Sequence, residues 1–361
     1  MKYPLNVLVV GCGRMGSAHA KAYHEINEYN IVGLVSRNSE SRVAVNKSLN
    51  ADYKLFADFE TALNETKPDV VSINTYSETH AEYAIKSFES GAHVFLEKPI
   101  APTLKESADV IEAAKRYNRK LLVGYILHYH PSWNLFIAKA KALGKPLVMR
   151  LNLNQQTEGE IWTLHKKMLK STSPIVDCGV HYVDLMCKMT KAKPVKVSAI
   201  GSRLSSEIAA DMYNYGQLQV AFDDGSVGWY EAAWGPMISE TAYFIKDVMG
   251  PKGSVSFLEK ETDSENINSH TNGGILKIHY AEMGSNNKFI RKDKEIEMVE
   301  EPNHDLLCKY EQEYLLKVIK EDIDLSLHMS DAYSSLKIVL AADESIKEVY
   351  INKLNDFYNI S

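Results

Sequence analysis

Cysteine is scarce: the four residues Cys12, Cys178, Cys187 and Cys308 are far apart and form no Cys-x-x-Cys pair. That excludes a disulfide framework or a zinc knuckle, and it fits free thiols in a reducing cytosol. No apolar run approaches the roughly 20 residues that span a bilayer. Excess positive charge is also missing. Lys and Arg number 41 against 47 Asp and Glu, a formal net charge of −6, so nothing draws the chain over long range to nucleic acid or an anionic membrane. Internal repeats and low-complexity tracts are absent. The apolar start, Leu5 to Val10, runs straight into glycines instead of a cleavage site. It reads as a first strand rather than a signal peptide, and the protein as cytoplasmic.

What remains is an ordinary globular composition, 45% hydrophobic and 24% charged over 361 residues, a length that predicts two domains. To about residue 125, short β-branched runs alternate with helical patterns. Strands are expected at Asn6–Val10, Asn30–Ser36, Val70–Asn74, His93–Glu97 and Lys120–Gly124, with helices between them, the first at Ser17–Glu28. The strands are nearly all apolar, as in a parallel sheet covered by helices on both faces. Residues 1–125 therefore read as an α/β, doubly wound (Rossmann) domain. Beyond Pro131 the texture becomes α+β. A helix at Ser132–Leu143, a strand at Leu147–Asn154, a polar stretch from Gln155 to Ser173 and one helix from Pro174 to Met189 lead into period-two alternation. Gln217–Phe222 and Ser226–Tyr230 flank Asp223-Asp224-Gly225, a hairpin signal. Further strands are expected at Val195–Gly201, Thr241–Asp247, Ser254–Leu258 and Gly274–His279, an exposed loop at Glu259–Asn272, and two closing helices. Residues 126–361 form this second domain, with the last helix free to pack on either one.

Strand one ends in Gly11-Cys12-Gly13-Arg14-Met15-Gly16. Glycine serves three needs in this pattern: the tight turn, approach of the backbone to a pyrophosphate, and close packing of helix on strand. The phosphates then meet free N–H groups at a helix N-terminus. Strand two ends in Ser36-Arg37-Asn38 without the acidic residue that usually binds the ribose diol of NAD. A hydroxyl and a guanidinium suit a 2′-phosphate, so Ser36 and Arg37, helped by Arg42, favour NADP over NAD.

Glu97-Lys98-Pro99 closes the fourth strand at the carboxyl edge of the sheet, where ligands of such folds bind. In the second half stands Asp177-Cys178-Gly179-Val180-His181-Tyr182-Val183-Asp184. If it opens a helix, Asp177 and His181 share one face.

These three motifs, in this order, resemble the glucose-fructose oxidoreductase / inositol dehydrogenase / rhizopine catabolism protein (Gfo/Idh/MocA) family, over almost the whole chain and including Thr75, His80 and Gly91-Ala92-His93-Val94. The resemblance implies an NAD(P)-dependent oxidoreductase of a sugar, inositol or related polyol. It also implies a second domain with a large, mainly antiparallel open sheet that joins subunits into a homodimer or homotetramer. Lys98, Asp177 and His181 match the family's catalytic three. The loop residues Gly11, Gly13, Arg14, Met15 and Gly16, with Ser36, Arg37, Asn74, Thr75, His80, Glu97 and Lys98, are the expected cofactor contacts. The chemistry fits: interconverting a secondary alcohol and a ketone needs a proton acceptor and donor near neutral pH, the role of His181. Asp177 orients the imidazole or binds a hydroxyl, and Lys98 stabilises the developing alkoxide.

Tyr125, His128, Asn154 and Trp162 join Asp177 and His181 as substrate candidates, with Gln155 beside them. His128 stands where many relatives carry an arginine. Tyr125 fits the cleft or core packing equally, and Tyr230, Glu231 and Trp234 read as core or interface. No metal site is expected. Two other functions use the same residues: an NAD-dependent glycoside hydrolase working by transient oxidation, and a non-catalytic sugar or nucleotide sensor.

Overall fold

A computed structural model describes residues 4–239, 245–258, 271, 273–299 and 301–351. Two compact units emerge, Met1–His130 with Pro302–Tyr333, and Pro131–Glu301 with Ser334–Ser361. The first therefore extends past the expected boundary at residue 125 and reclaims a segment near the C-terminus.

In the first unit the chain runs β1 (Leu5–Val10), α1 (Arg14–Glu25), β2 (Tyr29–Val35), α2 (Ser39–Ser48), β3 (Leu55–Phe56), α3 (Phe59–Thr66), β4 (Val70–Ile73), α4 (His80–Glu89), β5 (His93–Glu97), α5 (Leu104–Arg116) and β6 (Leu121–Gly124). All neighbours in the sheet β3-β2-β1-β4-β5-β6 are parallel. The order reverses beside β1, which sets the glycine loop at the switch point where such sheets bind ligands. Val7, Leu8, Val9, Val70, Val71 and Ile73 are fully buried, as strands covered on both faces must be.

The second unit runs α6 (Pro131–Ala142), β7 (Val148–Gln156), α7 (Gly159–Met168), α8 (Pro174–Asp177), α9 (Gly179–Thr190), β8 (Pro194–Ser202), β9 (Tyr215–Phe222), β10 (Val227–Gly235), β11 (Lys246–Gly250), β12 (Gly253–Leu258), β13 (Ile275–Tyr280) and β14 (Lys294–Glu297). Its sheet, β14-β13-β12-β11-β7-β10-β9-β8, is antiparallel except for β7 and β10, which run parallel. Trp133, Phe136, Phe257, Tyr182 and Tyr230 form a linked aromatic core. Val148, Val195, Ile200 and Val227 on the strands stay exposed. The chain ends with α10 (His304–Lys320) and α11 (Ser326–Ile351). Leu315, Leu316, Val318 and Ile319 of α10 enter the hydrophobic core of the first unit. Among the described residues, no helix is long and apolar enough to cross a membrane.

Three local readings change. The stretch 155–173 contains α7, whose buried positions Trp162 and His165, with Leu169 just past its end, recur at helical spacing among polar residues. The expected helix from Pro174 to Met189 is two helices, broken at Cys178. Gly179 sits at the break because a Cβ there would fall 2.9 Å from the Tyr230 ring. The first helix begins at Arg14, not Ser17. The expected strand at Thr241–Asp247 overlaps β11 at Lys246 and Asp247, and its residues 241–244 lie outside the described residues, as does nearly all of the expected loop Glu259–Asn272.

Candidate functional site

In the first unit the glycine loop is shaped by contact. Gly11 has φ +90° and its amide donates to the Val35 carbonyl at 2.8 Å. A Cβ on Gly11 would lie 2.6 Å from the Asn74 carbonyl oxygen, and one on Gly16 would lie 1.7 Å from that of Gly11. Around Gly13, by contrast, nothing lies within 4 Å of such an atom. Gly13 also caps α1, which has neither a side-chain cap nor an acidic residue in its first turn. An open glycine at an uncapped helix N-terminus is the cradle that a diphosphate needs. Arg14 is exposed, and Met15 packs toward Cys308.

At the end of β2, Ser36 is half-buried and Arg37 exposed. The Arg42 guanidinium donates to the Ser36 carbonyl, while the Asn38 side chain caps α2 by accepting from the Glu40 and Ser41 amides. Asn74 works inward: its amide donates to the Ser72 carbonyl at 3.0 Å and its backbone N–H to that of Val10 at 2.8 Å. It supports the loop. The Thr75 hydroxyl pairs with that of Thr79 at 2.7 Å.

His80 lies inside the first unit. It is fully buried, with Nδ1 at 2.8 Å from the Pro99 carbonyl and Nε2 at 3.0 Å from that of Thr75. Both ring nitrogens face backbone carbonyls, and the one that carries the proton ties the ring to its loop. Burial holds its pKa down despite these two carbonyls.

Glu97 is buried under Lys98: one carboxylate oxygen lies 2.8 Å from His19 Nε2 and the other accepts the Lys98 amide at 3.2 Å. Burial raises its pKa, but the hydrogen bond from His19 and the positive charge of Lys98 outweigh it, so the group stays below its ordinary value. Nearby, His19, Cys308 and Glu311 bring a nitrogen, a sulfur and an oxygen within 4.8 Å of one another. Both His19 nitrogens are already hydrogen-bonded. The buried Glu311 carboxyl is pushed far above its usual range, first by burial and then by Glu97.

Tyr125 is 1% exposed and stacks on His128 at 5.7 Å, so it packs the end of β6 rather than presenting its ring. His328 of α11 lies edge-on to both rings and accepts the Val123 amide at 3.0 Å, satisfying the open edge of β6.

In the second unit Asp177 ends α8 and His181 lies in the first turn of α9. Asp177 is flanked by the Cys178 thiol at 3.6 Å, which also points at Gln155 Oε1 at 3.8 Å. Gln155 Oε1 accepts the Trp234 indole N–H at 2.9 Å, and His165 stacks on Trp234 at 4.3 Å. Asn154 donates to Glu231 at 2.5 Å. Trp162 is 6% exposed and its indole donates to Glu207 at 3.3 Å, which makes it a packing anchor of α7 rather than a sugar platform. Tyr230 and Trp234 are core residues. The sequence reading missed His165, hidden in an apparently structureless stretch.

Burial pushes His165 down to about 4, against the pull of Asp177. Burial, Arg119 and Lys120 do the same to His93. The unfolded chain therefore binds more protons between the ordinary value of 6.5 and about 4. The stability these neutral rings give is present above the upper limit and is lost as pH falls toward the lower one, on the order of 3 kcal/mol each. Urea midpoints should fall across this window, and the fall should be shallower in His93→Gln and His165→Gln. A midpoint that stays constant down to pH 4 refutes this.

Comparison with known proteins decides the family. A model described as an oxidoreductase family with an NAD-binding Rossmann fold matches residues 5–125, and the GFO/IDH/MocA C-terminal domain matches residues 137–256. The chain belongs to the Gfo/Idh/MocA oxidoreductase family. A D-glucoside 3-dehydrogenase of Escherichia coli is 23% identical over 310 residues, 80% of this chain and 85% of that protein. The solved UDP-N-acetylglucosamine 3-dehydrogenase of Acidithiobacillus ferrooxidans superimposes with a TM-score of 0.75 at 19% identity, covering 97% and 100% of the two chains. Scyllo-inositol dehydrogenase of Lactobacillus casei, solved with NAD(H) and scyllo-inositol, gives 0.74 at 17% identity over 95% and 97%. The family members thus share both units of the fold, and this chain is an oxidoreductase with the family's NAD-binding domain.

Proposed function

We propose that the protein interconverts a secondary alcohol and a ketone on a sugar, inositol or related polyol, with NADP preferred to NAD. The observation that carries this reading is the open Gly13 cradle at the uncapped start of α1, in a chain that also bears Lys98, Asp177 and His181 in the family's motif positions. Gly11, Gly13 and Gly16 hold the diphosphate of the dinucleotide, and Ser36 with Arg37 holds the 2′-phosphate. The bound nicotinamide supplies the hydride chemistry. His181 takes the hydroxyl proton in oxidation and returns it in reduction. Asp177 orients the imidazole or a neighbouring substrate hydroxyl. The Lys98 ammonium lowers the cost of negative charge on the reacting oxygen.

The test is a panel of glucose, methyl glucosides, keto-sugars and myo- and scyllo-inositol, followed by the absorbance of reduced nicotinamide with each cofactor. Stoichiometric cofactor turnover is expected. Cofactor that stays bound with no net change while a glycoside is cleaved rejects the reading, and so does absence of turnover across the panel. Losing a charge-assisted phosphate contact of about 1.5–3 kcal/mol should lower the NADP:NAD ratio of kcat/KM at least about tenfold in Arg37→Ala. An unchanged ratio rejects Arg37 as the 2′-phosphate ligand.

A further inference from the structure

A directional chain of buried hydrogen bonds ends on the backbone of Lys98. Tyr23 of α1 donates its hydroxyl to Gln312 Oε1 at 2.5 Å, and Ser72 is a second hydrogen-bond partner of that hydroxyl. The amide nitrogen then faces His19 Nδ1 at 3.0 Å and must donate to it. His19 consequently carries its proton on Nε2 and gives it to Glu97 at 2.8 Å, and the other oxygen of Glu97 accepts the Lys98 amide. Tyr29 anchors the same helix by donating to the Gln312 carbonyl at 3.0 Å. Tyr23, Gln312 and His19 are fully buried and Glu97 is 7% exposed, so no water competes and each link depends on the one before. The His19 ring has no freedom to tilt, being packed on Phe95 at 4.5 Å.

We propose that Gln312 is a positioning residue for Lys98, acting through His19 and Glu97. It lies on α10, outside both segments matched by the family models. An apolar side chain at 312 removes the donor that selects the His19 tautomer. Part of the His19 population then carries its proton on Nδ1, the Glu97 carboxylate loses a buried donor, and the peptide holding Lys98 shifts. The inference rests on the reading of Lys98 as a catalytic group.

A double-mutant cycle of Gln312→Met and Lys98→Ala separates the two claims. Turnover is measured on the panel compound oxidised fastest, with melting temperature and NADPH affinity as controls. Gln312→Met should melt within a few degrees of wild type, bind NADPH within about twofold, and lose about tenfold in kcat. In the Lys98→Ala background it should cause no further loss. Side-chain 15N spectra, with His19→Gln to assign the signals, should show a protonated Nε2 and bare Nδ1 for His19 in wild type and a mixture in Gln312→Met. If Gln312→Met fails to fold, Tyr23→Phe, which frees the amide to flip, is held to the same criteria. Unchanged kcat, an equal loss in both backgrounds, or an unaltered His19 tautomer overturns the role of Gln312. Full turnover in Lys98→Ala overturns the reading of Lys98 instead, while the tautomer result stands.

Discussion

Gly16→Ala should yield a protein whose first unit does not assemble, whereas Gly13→Ala should fold and melt like the wild type yet lose dinucleotide. The difference lies in what surrounds each Cα. A methyl on Gly16 would lie 1.7 Å from the Gly11 carbonyl oxygen and 3.4 Å from the Asn74 side chain. That oxygen belongs to a rigid turn pinned to Val35, so the clash can be relieved only by moving α1 off the sheet. Gly13 has φ −79°, a value any residue adopts, and open space where its side chain would go. The one occupant a methyl would displace there is a ligand. Melting curves and NADPH fluorescence titrations should show a collapsed transition for Gly16→Ala, and for Gly13→Ala a wild-type transition with affinity at least about tenfold weaker, or about 1.4 kcal/mol. Wild-type NADPH affinity in Gly13→Ala removes the cradle from this loop.

His181→Ala should cost about 10²–10⁴-fold in kcat, the usual worth of a positioned proton-transfer group. Lys98→Ala should cost a similar factor through loss of charge stabilisation at the reacting oxygen, on the order of 10²–10³. Cofactor affinity and melting temperature provide the control, since neither change is expected to alter the glycine loop. The two losses should combine to less than their product if both groups serve one transition state. A variant of either residue that keeps more than half of wild-type turnover refutes its assignment. A loss confined to KM would mean instead that the residue binds substrate equally in ground and transition states.

The parallel sheet was legible because each strand, buried on both faces, must be mostly apolar, as in Val7–Val10 and Val94–Leu96. The glycine loop was legible because its function needs missing side chains at fixed spacing. The α7 helix was not, because three buried positions among polar residues are a weak periodic signal and its first residue, Gly159, has φ +54°. The break at Cys178 was hidden for another reason. The Tyr230 ring, brought to Gly179 by a distant strand, shows why that position takes no side chain, and nothing in the pattern from Pro174 to Met189 announces it. Trp162 was read as ligand-facing because an aromatic face suits a sugar, and His80 through the family resemblance. Burial places both rings inside the protein, and the Trp162 indole N–H is already bonded to Glu207.

By itself the sequence determined the classes of the two units and the glycine loop, and its resemblance to the family singled out Lys98, Asp177 and His181. The classes and the loop follow from local pattern, apolar period and glycine spacing, and the three motif residues from the family resemblance. The tertiary structure alone decided that α10 completes the first unit, that β7 pairs parallel to β10 within an antiparallel sheet, and that Gln312 reaches His19 across 293 positions. Such contacts are chosen by packing between segments far apart in the chain, where burial and hydrogen-bond satisfaction select one partner among many that local sequence would allow.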